Sequence, residues 1–332
     1  MRVLVTGGAG YIGSHTVALV RARGDFVVVL DSMEFGHREA IGDTPLVVGR
    51  THDQTLVKQV IGDHRLDAVI HFAAYKAAGE SMGNPAKYFD NNVHGSLCLL
   101  DAAQQAGVRR FVFSSTAAVY GSPQSLPVGE DAPLRPENPY GESKLLVEQM
   151  LRWFDTCHGL RSVALRYFNA AGAALDASNG EDPRFVQNLI PLVMNAATGR
   201  AAKVSVFGTD YPTPDGTGIR DYIHVLDLAE AHARALDFLV AHDRSDVFNL
   251  GTGKGASVFE VLQESRRASG VNIAAENTAR RPGDPAAVWA DNRKARAVLD
   301  WQPRYGLREI VETAWAWHKS HPDGFASAAT SS

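Results

Sequence analysis

Tyr140 and Lys144 stand four residues apart in the run Pro139-Tyr140-Gly141-Glu142-Ser143-Lys144. On a helix that spacing puts both side chains on one face. A free tyrosine titrates near ~10 and is a poor base at neutral pH. A nearby ammonium favours its phenolate, so the pair reads as a proton-transfer device. Upstream, Phe113-Ser114-Ser115-Thr116 follows an apolar run and brings hydroxyls to a strand end. Thr116 is positioned there to relay a proton between a substrate hydroxyl and Tyr140. Tyr140, Thr116 and Lys144 are the expected catalytic residues.

A second set points to a reagent for that proton chemistry. Gly7-Gly8-Ala9-Gly10-Tyr11-Ile12-Gly13 lies between an apolar strand and an amphipathic stretch. Gly7 permits the tight turn, Gly10 lets a pyrophosphate approach the backbone, and Gly13 lets helix and strand pack closely. The phosphates would sit at the positive end of the helix starting near Tyr11. Asp31 ends the next strand, where a carboxylate takes the adenosine ribose hydroxyls and repels a 2′-phosphate. NAD is therefore expected over NADP. Its positive nicotinamide would favour the phenolate of Tyr140 further.

These residues need a scaffold that brings them to one edge. Near-continuous apolar runs at 2–6, 26–30, 46–48, 68–71, 110–113 and 162–165 read as buried strands. Helical patterns lie between and beyond them, at 11–23, 54–61, 85–105, 140–157, 186–197, 226–239, 258–269 and 307–319. The alternation predicts an α/β fold with a doubly wound, parallel, Rossmann-type sheet covered on both faces. Segments 172–183 and 208–218 read as loops. Residues 1–169 are expected to form the NAD-binding domain. Residues 170–325 form a smaller C-terminal α/β lobe, some of whose elements return to the main sheet, and 326–332 a frayed tail.

Composition narrows the class. The 332 residues carry a net charge of −4, which excludes a global basic field for nucleic acid or membrane surfaces. No apolar run reaches membrane-spanning length and no signal peptide is visible, so a cytoplasmic location is expected. The two cysteines, Cys98 and Cys157, follow no metal or redox spacing, and the twelve histidines form no HExxH set or Cys/His cluster. No metal is expected.

The glycine turn, the Ser/Thr after the strand and Tyr140-x-x-x-Lys144 together resemble the extended short-chain dehydrogenase/reductase family. Longer matches narrow the resemblance to its UDP-glucose 4-epimerase group. They are residues 71–81, with Phe72, Ala73 and Lys76; Asp90-Asn91-Asn92-Val93; Leu165-Arg166-Tyr167-Phe168-Asn169; and residues 210–225, with Arg220. The resemblance implies that Tyr140, assisted by Thr116, takes the proton of a sugar 4-hydroxyl while the C4 hydride passes to tightly held NAD. The 4-keto sugar then turns over and receives the hydride on its opposite face. Lys144 would bind the nicotinamide ribose and tune Tyr140, and Lys76 would reach the cofactor phosphates. Phe72, Ala73, Asn91, Ser114 and Tyr167 would complete the cofactor groove.

A UDP-sugar is the implied substrate. Arg220 and Arg281 are the expected diphosphate clamps, since guanidinium binds phosphate oxygens in bidentate fashion. By resemblance, Asn188 contacts a phosphate, Asn169 the diphosphate or sugar, Phe207 the uracil and Asp284 the uridine ribose. Val288 occupies a position that borders the sugar pocket in the family. Its small side chain would leave room for an N-acetylhexosamine. A second departure is Arg50, where the family places an adenine-contacting Asp; it is expected to stack on the adenine or to point away.

Two other readings stay open beside these. A UDP-pentose (xylose/arabinose) 4-epimerase uses the same machinery, and a non-catalytic NAD-sensing protein would keep the fold but usually loses the Tyr or Lys. Dehydratase chemistry is disfavoured, because Ala117, Ala118 and Val119 follow Thr116 and supply no carboxylate. The family usually forms homodimers through two helices per subunit, here 85–105 and 140–157, with Leu97, Leu100, Leu145 and Leu146 as candidates.

Overall fold

The computed structural model describes residues 1–281 and 284–325. Pro282, Gly283 and the expected tail 326–332 lie outside the described residues. Seven strands form one sheet: β1 (Arg2–Thr6), β2 (Phe26–Asp31), β3 (Leu46–Val48), β4 (Ala68–His71), β5 (Arg110–Thr116), β6 (Arg161–Tyr167) and β7 (Asp246–Leu250). Their order is β7-β6-β5-β4-β1-β2-β3, and every pairing is parallel. The doubly wound Rossmann-type sheet is thus present. The order reverses beside β1, which has β2 on one side and β4 on the other. Open α/β sheets bind ligands at that kind of switch point.

Side chains alternate across each strand, which explains the apolar runs. Val3, Val5, Val27 and Val29 pack against helices Tyr11–Ala22 and Val225–His242, whereas Leu4, Val28, Leu30 and Val69 pack against Gln54–His64, Gly95–Gln105 and Pro139–His158. Burying each such side chain contributes roughly 1.5–3 kcal/mol. Both faces are covered, so no polar alternation is needed.

The pattern expected to be one helix over 85–105 is broken into Pro85–Tyr88, a widened π-helical turn at Phe89–His94, and Gly95–Gln105. The cause is tertiary. Asn92 Nδ2 donates to the Tyr75 carbonyl and to Ser143 Oγ, both at 3.0 Å, and Asn92 Oδ1 accepts from the Tyr75 N–H at 2.9 Å. Leu100 and Leu145, offered as interface candidates, are buried core within this chain. Leu97 is 43% exposed.

Beyond Asn169, short strands build the second lobe. Asn169–Ala171 pairs with Tyr222–His224, Val204–Phe207 with Ala275–Thr278, and Ile219–Arg220 lies between Ala256–Ser257 and Ala287–Val288. Among the described residues, no helix is long and apolar enough to cross a membrane.

The buried histidines give the fold a pH dependence. Burial pushes His71 and His224 down to about 3 and His232 to about 4. They stay neutral when folded but take up a proton when unfolded below about 6.5. Their depressed values contribute stability above pH 6.5 that is lost as pH falls toward 3–4. Burial lowers His15 and His318 too. Asp227, raised to about 6, and Asp31, Glu130 and Asp221, also raised by burial, act in the opposite sense, four carboxyls against five imidazoles. The thermal midpoint is therefore expected to fall between pH 7 and pH 5. The loss approaches about 1.4 kcal/mol per pH unit for each histidine. A midpoint that rises on acidification, read by circular dichroism, would contradict this.

Candidate active site

A cleft of about 480 Å3 opens at the C-terminal edge of the sheet. That is within the roughly 300–1,000 Å3 usual for small-molecule sites. One wall is the glycine turn. Gly7 has φ +69°, and a Cβ there would stand 2.5 Å from Ala73 N. A Cβ on Gly13 would stand 2.3 Å from the Gly7 carbonyl oxygen. Gly10 differs: its Cβ would meet only Gly7 O at 3.4 Å, so its openness serves a ligand rather than packing. Gly10 also begins helix Tyr11–Ala22 in extended conformation with no side-chain cap, which leaves the first N–H groups directed at the cleft. Tyr11 and Ile12 line it as well.

Asp31 also lines the cleft. Its carboxylate accepts from the Ala9 and Met33 N–H groups, each at 2.9 Å, and burial raises its pKa despite those bonds. Arg50 lines the cleft and does not point away from it. It lies 3.2 Å from Glu34, which also accepts from the Tyr75 hydroxyl at 2.8 Å. A local ion pair thus replaces the carboxylate that the family pattern puts there. Phe72, Ala73, Lys76, Asn91, Tyr140, Lys144 and Tyr167 all line the same cleft. Ser114 stands just behind it, its hydroxyl 2.7 Å from that of Tyr167.

Sequence spacing missed the opposite lip. The segment 180–187 folds back from the second lobe, and nothing in its pattern marks it. Glu181 takes Lys76 Nζ at 2.7 Å, and Phe185 meets Phe35 edge-on with ring centres 5.5 Å apart. Lys76 therefore stands at the rim with a carboxylate partner.

The catalytic set assembles at the end of β5. Asn138 caps helix Pro139–His158 through Gly141 N–H at 2.8 Å. A Cβ on Gly141 would lie 2.7 Å from the Ala118 carbonyl oxygen, so this glycine lets the helix start press against the turn after Thr116. Thr116 Oγ1 accepts from Ala118 N–H at 3.1 Å. Burial pushes the Tyr140 phenol up, while the Thr116 hydroxyl pulls it the other way. Lys144 Nζ does not bond the phenol; it donates to the Ser114 carbonyl at 2.8 Å. Burial lowers this ammonium to about 7, against the nearby charge of Glu148. The expected phenolate-favouring ammonium is thus present but tethered to the strand.

The second-lobe candidates do not line this cleft. Asp284 and Val288 stand at Arg220, and the others lie on separate segments. Arg220 Nη2 meets Asp284 Oδ1 at 2.8 Å, and the Arg281 guanidinium stacks 3.8 Å above the Phe207 ring. Val288 pairs in register with Arg220 and packs with Val119, Tyr120 and Leu145, beside the Thr116 turn. Asn188 starts helix Leu189–Ala197 without using its side chain as a cap. Asn169 begins the strand continuing from β6, next to Tyr222. Asp221, which the spacing did not single out, is buried and accepts from the backbone N–H groups of Thr252, Gly253 and Ala290. It ties the segments at 252–253 and 290 to its own, next to Arg220. His224 is structural: its Nδ1 accepts from Leu226 N–H and its Nε2 faces Thr313 Oγ1 at 3.1 Å.

Comparison with known proteins agrees with this geometry. A UDP-glucose 4-epimerase from Lacticaseibacillus casei is 46% identical over 98% of this chain and 99% of its own length. The crystal structure of a UDP-glucose-4-epimerase from Stenotrophomonas maltophila, with bound NAD and formylated UDP-arabinopyranose, superposes with a TM-score of 0.94. It is 43% identical and covers 97% of this chain and 99% of its own. A UDP-Glc/GlcNAc 4-epimerase from Campylobacter jejuni gives a TM-score of 0.85 at 41% identity, covering 96% of this chain and 99% of its own. Residues 3–251 match the NAD dependent epimerase/dehydratase family, and the chain belongs to it.

Proposed function

We propose that this chain interconverts UDP-glucose and UDP-galactose by inverting C4 of the sugar, with NAD held in the cleft. One observation carries the reading: Tyr140 and Lys144 line the same cleft as the uncapped glycine cradle and Asp31, with Thr116 against Tyr140. The relatives' UDP-glucose 4-epimerase names supply the substrate. Residues 1–169 serve as the NAD-binding domain and 170–325 as the nucleotide-sugar lobe.

The residues present fit the cofactor. Gly7, Gly10 and Gly13 with the N–H groups of Tyr11 and Ile12 would cradle the diphosphate. Asp31 would take the adenosine ribose, and Phe72, Ala73, Lys76, Asn91, Ser114 and Tyr167 would complete the groove. When bound, NAD supplies a reversible two-electron acceptor for the C4–H bond. Tyr140 removes and returns the proton at O4, with Thr116 relaying it. Lys144 fixes the nicotinamide ribose and supports the phenolate from its tether on Ser114. Arg220 and Arg281 hold the diphosphate with Asn188 and Asn169, and Phe207 and Asp284 hold the uridine. In that state Asp284 must exchange Arg220 for a ribose hydroxyl.

Purified protein incubated with UDP-galactose should form UDP-glucose without added oxidant. A protein that retains NAD and yields none would overturn the reading. The proposed setting is galactose metabolism in the cytoplasm. A homodimer is also proposed, through the outer faces of Gly95–Gln105 and Pro139–His158. Leu97 and Trp153 stand 43% and 59% exposed there. Light scattering should give twice the chain mass.

Val288 adds acceptance of UDP-N-acetylglucosamine to the proposal. It is small, 9% exposed and adjacent to the Thr116 turn. The Campylobacter relative carries both sugars in its name. Val288→Tyr should lower kcat/KM for UDP-N-acetylglucosamine by about tenfold or more, the scale at which pocket sterics discriminate. UDP-glucose should change far less. Equal ratios in both proteins would sink the idea.

A further inference from the structure

Outside the reacting centre, three side chains able to ligate a metal converge next to the cleft wall, without lining the cleft themselves. His52 follows the Gly49-Arg50-Thr51 turn. Asp90 and His94 lie in the widened turn Phe89–His94. Their ligand atoms all fall within 4.8 Å of one another. His94 Nδ1 is 3.1 Å from Asp90 Oδ1, and His52 Nε2 is 3.8 Å from Asp90 Oδ2. The two imidazoles stand edge to face, 5.1 Å apart, and His52 Nε2 also lies 3.2 Å from the Asp90 carbonyl oxygen. Among the described residues, Asp90 makes ion pairs with these two histidines and with no other side chain.

The arrangement is partly preset. A Cβ on Gly95 would come within 2.9 Å of His52 Cε1, so the absence of a side chain there lets the His52 ring lean on the helix backbone. Asp90 and His94 are 70% and 58% exposed. They are therefore free to move toward the shorter mutual distances that metal–ligand bonds of about 2.0–2.2 Å require. A fourth position stays open to water. Two imidazoles and one carboxylate suit Zn2+ and its first-row neighbours rather than Mg2+ or Ca2+.

We propose that His52, Asp90 and His94 bind a borderline divalent cation, with Zn2+ as the probe. The site would link two segments that face the cofactor groove, since Arg50 and Thr51 precede His52 and Asn91 lies between Asp90 and His94. It is composed from distant stretches, which is why no sequence motif announces it. Its existence does not depend on the epimerase reading.

The test uses the full chain as purified, treated with chelator and dialysed. Titration with Zn2+ should show one site per chain in the micromolar range or tighter, and Co2+ should give visible absorption from nitrogen and oxygen ligation. His94→Ala and, separately, His52→Ala should weaken Zn2+ at least about tenfold. Zn2+ should raise the unfolding midpoint of the wild type and not of His94→Ala. Unchanged affinity in both variants would overturn the proposal. So would loss of binding in Cys157→Ser, the exposed thiol elsewhere on the surface.

Discussion

Replacing Tyr140 by Phe should lower kcat for UDP-galactose by about 10²–10⁴-fold, the usual contribution of a positioned acid/base. The ring stays, so packing against the end of β5 is kept and only the proton carrier is lost. The Tyr140 N–H donates to Ser81 Oγ at 3.2 Å, a backbone bond that Phe retains. The phenol is buried, and burial alone makes it a worse base. The Thr116 hydroxyl opposes that, and Lys144 stands one helical turn away, held on the Ser114 carbonyl. Burial lowers the Lys144 ammonium itself to about 7. A cationic cofactor ring in the cleft would add the remaining pull on the phenol. Steady-state kinetics with UDP-galactose, alongside NAD content released by denaturation, separates lost chemistry from lost cofactor. Full activity in Tyr140→Phe with normal NAD content would place the base elsewhere.

The elements that position this chemistry were legible to different degrees. Strands β1, β2, β4, β5 and β6 could be read because both their faces are covered and apolar residues run through their central positions. The glycine turn could be read because each glycine answers a separate steric demand, two against backbone and one toward a ligand. Strand β7 was harder, since Asp246 and Asn249 interrupt it. Asn249 is buried because it serves the neighbouring loops: its Nδ2 donates to the Val128 carbonyl and its Oδ1 accepts from Tyr120. The π-helical turn was not legible, because Asn92 imposes it through bonds to residues 17 and 51 positions away. The lip at Glu181 and Phe185 was hidden for the same reason: its partners Lys76 and Phe35 lie far off in sequence. Arg50 shows how a departure from pattern is absorbed locally. Glu34 and Tyr75 take up its charge, so the adenine end keeps a polar wall without the usual carboxylate.

Beneath the catalytic set lies a buried ion pair whose disruption should have the largest effect on stability. Arg166 Nε donates to Glu148 at 3.0 and 3.2 Å, and its Nη1 donates to the Tyr120 hydroxyl at 2.9 Å. Ser115, the residue before Thr116, also donates to Glu148. Both charged side chains are under a tenth exposed, at 5% and 8%. Glu148→Ala leaves a guanidinium that cannot shed its proton, buried without a counter-charge. Breaking such a pair costs about 3–5 kcal/mol. An exposed pair, such as Lys203 with Glu276, should cost at most about 1 kcal/mol. The comparison is read by denaturant unfolding of both variants. Removing the second charge should reverse much of the loss, because well-packed apolar replacements of a buried pair are often neutral. Glu148→Leu with Arg166→Met should thus be more stable than Glu148→Ala alone. The same double variant separates structure from chemistry. Glu148 stands one turn beyond Lys144 and supports its ammonium, so the pH profile of kcat should stay altered after stability is restored. A Glu148→Ala protein within about 1 kcal/mol of wild type would mean that water reaches Arg166, and that the pair is not the support under β5 and β6 that its geometry implies.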